Sequence, residues 1–121
     1  MTEDKISRAR LDRARARLAQ QAVAYAFDVP VEEIAAPTRR SAKVALARQV
    51  AMYLAHVAFE LSLARVGDAF GRDRTTAAYA CHRIEDRRDG PGFDGFLDAL
   101  EACLRAAPPP PGRGAREEIA A

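Results

Sequence analysis

Ser62-Leu63-Ala64-Arg65-Val66-Gly67-Asp68-Ala69-Phe70-Gly71-Arg72-Asp73-Arg74-Thr75-Thr76-Ala77-Ala78-Tyr79-Ala80-Cys81-His82-Arg83-Ile84 reads as a short helix, a glycine turn and a second helix. Ser62 can accept a hydrogen bond from a free amide and so cap a helix over 63–69. Gly71 supplies a turn, and Asp73 stands where it would cap a helix over 74–88. In that second helix Ala77, Ala80, Cys81 and Ile84 recur at i, i+3, i+4 and i+7, the spacing of a buried stripe. Arg74, Thr75, Ala78, Tyr79 and His82 are thereby turned outward. This is the layout of a helix-turn-helix reading head, in which the first residues of the second helix meet base edges in the major groove. The side-chain types suit that task. Arginine pairs bidentately with guanine, a threonine methyl meets thymine, and an aspartate such as Asp73 accepts from a cytosine amino group. Tyrosine and threonine hydroxyls also donate to phosphates. An ordinary solvated helix face would carry similar residues. The helix and turn that precede it favour the reading head.

Outward from this stretch the chain continues to read as helix. Residues 4–27 contain neither Pro nor Gly and carry Arg8, Arg10, Arg13, Arg15 and Arg17, followed by Leu18, Ala22, Val23, Ala26 and Phe27 at helical spacing. Pro30 ends that helix, and Val31–Ile34 is expected as a helical turn plugging the core. Ser41 is a plausible cap for a strongly apolar helix over 42–59, with Val44, Val50, Leu54, Val57 and Phe59 as candidates for burial. Gly90-Pro91-Gly92 is expected to break the chain. Phe93, Phe96, Leu97, Leu100 and Leu104 then follow the spacing of a last amphipathic helix, and residues 107–121 read as a disordered Pro/Gly tail. No strand pattern and no repeat is visible. The expected fold is all-α, a compact helical domain built round the helix-turn-helix, with residues 1–19 a basic helical extension and 20–106 the domain.

Composition narrows the function classes. The 121 residues are 49% apolar, but aromatics make up only 7% and Trp is absent, so alanine supplies much of the core and favours helix. The net charge of +2 is unevenly spread: residues 1–50 hold 10 Lys/Arg against 6 Asp/Glu, and residues 51–121 hold 9 against 11. A basic first half fits an arm along a phosphate backbone, and it equally fits a solvated helix face. Cys81 and Cys103 share no zinc-ligand spacing with a second Cys or a His, and both read as buried thiols in a reducing cytoplasm. No metal site and no cofactor is expected. No run approaches the ~18 apolar residues of a membrane span, and no apolar signal core opens the chain, so a cytoplasmic, nucleoid-associated location away from membranes is expected. His56 and His82 lack a nucleophile arrangement, and no paired carboxylates suggest a cleft. No catalytic residue is assigned.

Three blocks in order give a family resemblance. Arg72-Asp73-Arg74-Thr75-Thr76 resembles the "Arg-Asp-His-Thr-Thr" signature of the C-terminal DNA-binding domain of the bacterial replication initiator DnaA. Ala47-Arg48-Gln49-Val50-Ala51-Met52-Tyr53-Leu54 is similar to that family's "ARQIAMYL" helix. Ser62-Leu63, Gly67 and Phe70-Gly71 resemble its "SLxxIGxxFG" element. Val23-Ala24-Tyr25-Ala26-Phe27-Asp28-Val29 through Ile34, with Arg39-Arg40-Ser41, looks like the region that opens the domain, and the likeness covers about residues 20–105.

The resemblance implies a Trp-repressor-like helical fold, double-stranded DNA as partner, and a monomer or weak homodimer. It further implies that Arg48 enters a minor groove, and that Asp73, Arg74, Thr75 and Thr76 contact bases or nearby phosphates. Tyr79 stands where the family often has a histidine facing DNA. Lys43, Arg40 and the helix start at Ser62 and Leu63 are further phosphate candidates. Arg74 replaces the signature histidine, and arginine favours guanine N7 and O6. The turn has one glycine where many members have two. No GxxxxGK[ST] phosphate loop is present, so nucleotide binding of that type is not expected and the chain reads as a stand-alone DNA-reading domain. A transcription regulator, a modulator of replication initiation acting at initiator boxes, and a protein-interaction domain that kept the fold without DNA binding all remain compatible with the sequence.

Overall fold

The computed structural model describes residues 3–37 and 41–121. Seven helices make up the described residues: α1 (Glu3–Phe27), α2 (Val31–Ala35), α3 (Ala42–Ala58), α4 (Leu63–Phe70), α5 (Arg74–Arg87), α6 (Pro91–Ala106) and α7 (Arg113–Ala120). The all-α architecture has α3 at its centre, packed against α1, α5, α6, α2 and α4. The reason lies in its sequence: Val44, Ala47, Val50, Ala51, Tyr53, Leu54 and Ala58 bury several sides of one helix, where a surface helix buries a single stripe. Val57 and Phe59, also candidates for burial, lie half-buried at its end.

Two layers of core meet on α3. Ala19, Val23 and Ala24 of α1, Ile34 of α2, Cys81 and Ile84 of α5 and Leu97 and Leu104 of α6 join it in one cluster. Met52 and Ala55 of α3, with Leu61, Val66, Ala77 and Ala80, form the other beneath the helix-turn-helix. The predicted inner stripe of α5 is therefore its buried stripe. Its alanines let the backbones of α4 and α5 come close.

Local chemistry ends the helices where the sequence changes. Past α1, Asp28 takes a left-handed φ of 54° while the Val29 amide bonds the Ala24 carbonyl at 3.1 Å, closing the last turn. Ser41 and Ser62 accept from the amides of Val44 and Arg65, as their cap positions predict. Asp73 also occupies a cap position, but its side chain makes no capping hydrogen bond.

Several expectations are corrected. Pro91 does not lie in a break but at the first position of α6, where its missing amide costs nothing and its fixed φ suits the helix. α1 runs through residue 19 without interruption and is already buried at Asp12 and Ala16. Cys103 is exposed while Cys81 is buried, because α6 packs through Leu97 and Leu104, one side over from residue 103. The chain beyond residue 107 is not structureless throughout. Residues 113–120 form α7, which buries nothing, contains good helix formers and has an Arg113–Glu117 pair at i, i+4.

Candidate nucleic-acid interface

The angle between α4 and α5 is set by backbone against backbone. A Cβ on Gly67 would lie 2.8 Å from the Arg72 carbonyl oxygen, closer than real Cβ atoms come, and 3.2 Å from the Arg74 nitrogen, a further tight contact. Glycine there lets the Arg72 amide bond the Gly67 carbonyl at 2.8 Å. Gly71 ends α4 in the left-handed region at φ 66°, its amide directed at the carbonyls of Asp68 and Gly67. Arg72 then leads through an extended Asp73 into α5. With a single glycine in the turn, the second helix starts at Arg74.

The outward residues of α5 are free of internal work. Arg74, Thr75, Thr76 and His82 are exposed, and none of their side chains forms a hydrogen bond or ion pair among the described residues. Tyr79 is 60% exposed, and its hydroxyl accepts from Arg83 Nη1 at 3.3 Å. Ala78 between them is half-buried and leaves room for close approach. Ser62 is spent on its cap, and the half-buried Leu63 packs against the core, so this helix start offers backbone amides more than side chains.

Beside this face runs an open groove of about 700 Å³ between α3 and α5. Its cations are Lys43 and Arg48 from α3, Arg72 from the turn, and Arg83 and Arg87 from α5, over a floor that includes Leu46 and Met52. Among the described residues no carboxylate lines it. Arg83 and Arg87 continue the stripe of Tyr79 at i+4 and i+8, a pattern legible in the sequence that the signature motif overshadowed. Lys43 is exposed at the groove's edge. Arg40 lies outside the described residues.

Arg48 is bonded within the fold. Its Nε donates to the Ile34 carbonyl at 3.0 Å and its Nη2 to the Glu33 carbonyl at 2.7 Å. The guanidinium thus turns onto the end of α2, whose last carbonyls lack helical partners, and does not extend into solvent. Arg72 does the same to the next carbonyls, with Nη2 to Ala36 at 2.9 Å and Nη1 to Pro37 at 3.3 Å.

Other polar groups brace the frame. Arg65 of α4 binds the buried Asp12 of α1 through two parallel bonds of 2.7 and 2.8 Å, and this bond to Asp12 raises the arginine's pKa. His56 Nδ1 donates to the Leu61 carbonyl at 2.7 Å, fixing the turn between α3 and α4. Arg15 lies 5.4 Å from the centre of the Phe59 ring, so the arginine-rich helix is in part a packed surface. At the far end of α5, the Tyr53 hydroxyl donates to Glu85 at 2.7 Å and accepts from Arg88 at 2.9 Å. Burial pushes the Tyr53 phenol pKa up, reinforced by its bond to Glu85. Arg88 also pairs with Asp94 and Asp98 of α6. Burial works against its charge, yet its bonds to Tyr53, Asp94 and Asp98 prevail and raise its pKa. Among the described residues no cluster of His, Cys, Asp and Glu is placed to hold a metal, and no helix is long and apolar enough to cross a membrane.

Known proteins share this arrangement. The family model described as bacterial dnaA protein helix-turn-helix matches residues 17–84. Over 63 residues, 51% of this chain and 14% of the relative, the chain is 48% identical to the chromosomal replication initiator protein DnaA of Synechocystis sp.. It is 37% identical to DnaA of Symbiobacterium thermophilum over 89 residues, 72% of this chain and 19% of that one. The chain therefore spans less than a fifth of the length of these relatives. Among solved structures it superposes on a DNA replication initiation factor with a TM-score of 0.72 and 28% identity, over 82% of this chain and 30% of the other. It also superposes on the replication initiator DnaA bound to AMPPCP and single-stranded DNA, with a TM-score of 0.71 and 27% identity over 86% and 32% of the two chains. The family match takes in α3, α4, the glycine turn and the whole reading face of α5 as far as Ile84, more than half of the chain. This chain belongs to the bacterial DnaA helix-turn-helix family.

Proposed function

We propose that this chain binds double-stranded DNA in a sequence-specific manner, with the first turn of α5 in the major groove of sites resembling initiator boxes. It would act there as a transcription regulator or as a modulator of replication initiation. The observation that carries this reading is the face of Arg74, Thr75, Thr76 and Tyr79: it is held by a tight backbone junction, exposed, and flanked by a groove that is cationic and, among the described residues, free of carboxylates. Arg74 would read guanine, Thr75 and Thr76 a base edge or phosphate, and Asp73, whose side chain caps no amide, a cytosine amino group. Lys43, Arg83 and Arg87 would neutralise phosphates on one side of α5, with Arg40 and the amides after Ser62 as further phosphate contacts. The role is binding, with no chemistry assigned to these residues.

Selection of bound sites from random double-stranded DNA at physiological salt tests the proposal. Enrichment of a short motif is expected, with affinity falling on a log–log salt slope near −4 to −5 if about 4–6 phosphates are neutralised. Absence of enrichment together with absence of binding at low salt overturns it in favour of a protein-interaction domain.

A further inference from the structure

We infer that Arg10, Arg13 and Arg17 of α1 form a second DNA contact, which grips the phosphate backbone just beyond the base pairs that α5 reads. The inference rests on the DNA-binding reading above and extends it to the arginine-rich helix, which that reading leaves without a task. Spaced i, i+3 and i+7, the three arginines lie along one stripe of α1. All three are exposed, and their side chains form no hydrogen bond or ion pair among the described residues. Arg15 lies on another flank, against Phe59 and beside Leu18 and Leu104. Arginine is thus used for packing on one side of α1 and left unspent on the other.

Nothing on the helix itself neutralises that stripe. Asp12 is the only acid between Lys5 and Phe27, and both its oxygens are taken by Arg65 of α4. Asp68 of α4 borders the same cleft as Arg13 but forms no ion pair with it. Two neighbours place the stripe beside the reading head. Arg13 shares its cleft with Asp68 and Ala69, at the end of α4 just before the glycine turn. Gln20, the next residue of the stripe at i+3 from Arg17, lies with Phe70 and Arg72 at that turn. The stripe therefore leads up to the point from which the chain enters α5 at Arg74. A duplex with the first turn of α5 in its major groove brings its backbone to this side of the turn. From Arg10 to Arg17 the helix rises about 10 Å, the axial length of about three phosphates on one strand. Unpaired guanidinium groups in a row suit a backbone of uniform charge, which positions a protein without specifying sequence.

An acidic protein surface is the competing partner, and the length of the duplex separates the two. Wild type, the combined Arg10→Gln, Arg13→Gln, Arg17→Gln variant and Arg15→Gln are titrated over a salt series. The duplexes are the site preferred in selection, alone and with ten further base pairs at each end. Glutamine keeps helix propensity, and thermal melting confirms the fold of each variant. On the site alone, all three proteins should show the same slope. On the long duplex the wild-type slope should be steeper by about 2.7, or 0.9 for each of three phosphates. The triple variant should lose that increment, and Arg15→Gln should keep it. Should the triple variant melt below the assay temperature, Arg13→Gln alone carries the test, with a slope shallower by about 0.9. A triple variant that matches wild type on the long duplex overturns the inference and leaves the stripe to an acidic partner. So does an Arg15→Gln variant whose loss equals that of Arg13→Gln, since overall charge would then be acting in place of a local contact. Wild type that binds the site alone and gains no slope from the flanks overturns only the second contact. Wild type that binds neither duplex overturns the DNA reading itself.

Discussion

At its N-terminal end α5 is held by backbone contact with Gly67 and by the small side chains of Ala77 and Ala80, which leaves Arg74, Thr75 and Thr76 with no internal side-chain bond. At its C-terminal end the same helix is held by side chains. Glu85 takes the Tyr53 hydroxyl, and Arg88, just past the helix, is shared among Tyr53, Asp94, Asp98 and Glu101. Polar groups thus occur at both ends, with opposite consequences. A guanidinium already bonded on several sides has little to offer a partner. One that stands on a rigid backbone with no internal bond can be offered whole, at little further cost in ordering the site. Charge alone does not mark a binding surface. Charge left over after the fold has been satisfied does.

The sharpest way to break this contrast is Gly67→Ala. The new methyl would meet backbone atoms that cannot move without moving the turn, so we expect a loss of about 3 kcal/mol in stability, a fall on the order of 10 °C in melting temperature. DNA binding should disappear with the junction, even at temperatures where the protein remains folded. A near-normal melt with intact binding would mean that the backbone contact does not set the reading angle. Next in size is Arg74→Ala. It should weaken binding to the preferred site by about 1–3 kcal/mol and relax choice at one base pair, read by repeating the site selection with the variant. Its melting temperature should stay within the small range of an exposed substitution. The pair of results would separate building the site from using it.

The two ends of α5 were not equally legible in the sequence. The N-terminal end rests on local relations: a glycine turn, a cap position and an apolar stripe at i, i+3, i+4 and i+7. The helices and the outward face followed from these. The polar brace at the other end joins residues 35 positions apart, as between Tyr53 and Arg88, and the Asp12–Arg65 pair joins residues 53 apart. No periodicity announces such pairs. Arg48 shows the same limit within the candidate site. Its presence was readable, but its direction depends on where α2 ends in space. Cys103 was misplaced for a related reason, since Phe96, on its side of α6, is itself exposed and the apolar stripe reads wider than the contact.

Arg88→Met sharpens the comparison from the other end. The methionine keeps the packing stem but drops the donors. Asp94 and Asp98 are partly exposed and can return to water, whereas the buried Tyr53 hydroxyl keeps only Glu85. A loss of about 1.5 kcal/mol in stability follows from the lost charged hydrogen bonds. Affinity for DNA, measured well below the melting temperature, should match wild type. A drop in affinity would show that the brace also orients the reading end and that the two ends are coupled through the helix.

The smallest effect concerns Cys81, which lies on the inner stripe between the two ends. Burial raises its thiol pKa from the ordinary 9.0 to about 11, with the charge of Glu85 adding to the rise. The unfolded chain therefore releases this proton first as the pH rises, and the folded chain retains it. Stability from this group is complete below about pH 9 and is lost between about pH 9 and about pH 11. Cys81→Ala removes that loss, so the gap in unfolding free energy between variant and wild type should shift in the variant's favour from pH 8 to pH 10 by on the order of 1 kcal/mol. Denaturant melts at the two pH values measure it, and their difference cancels the packing lost with the sulfur. A gap that stays constant with pH would mean that the thiolate is solvated in the folded state. The alanine stripe of α5 would then admit water between its braced end and its reading end, and the backbone junction at Gly67 alone would hold the reading face in place.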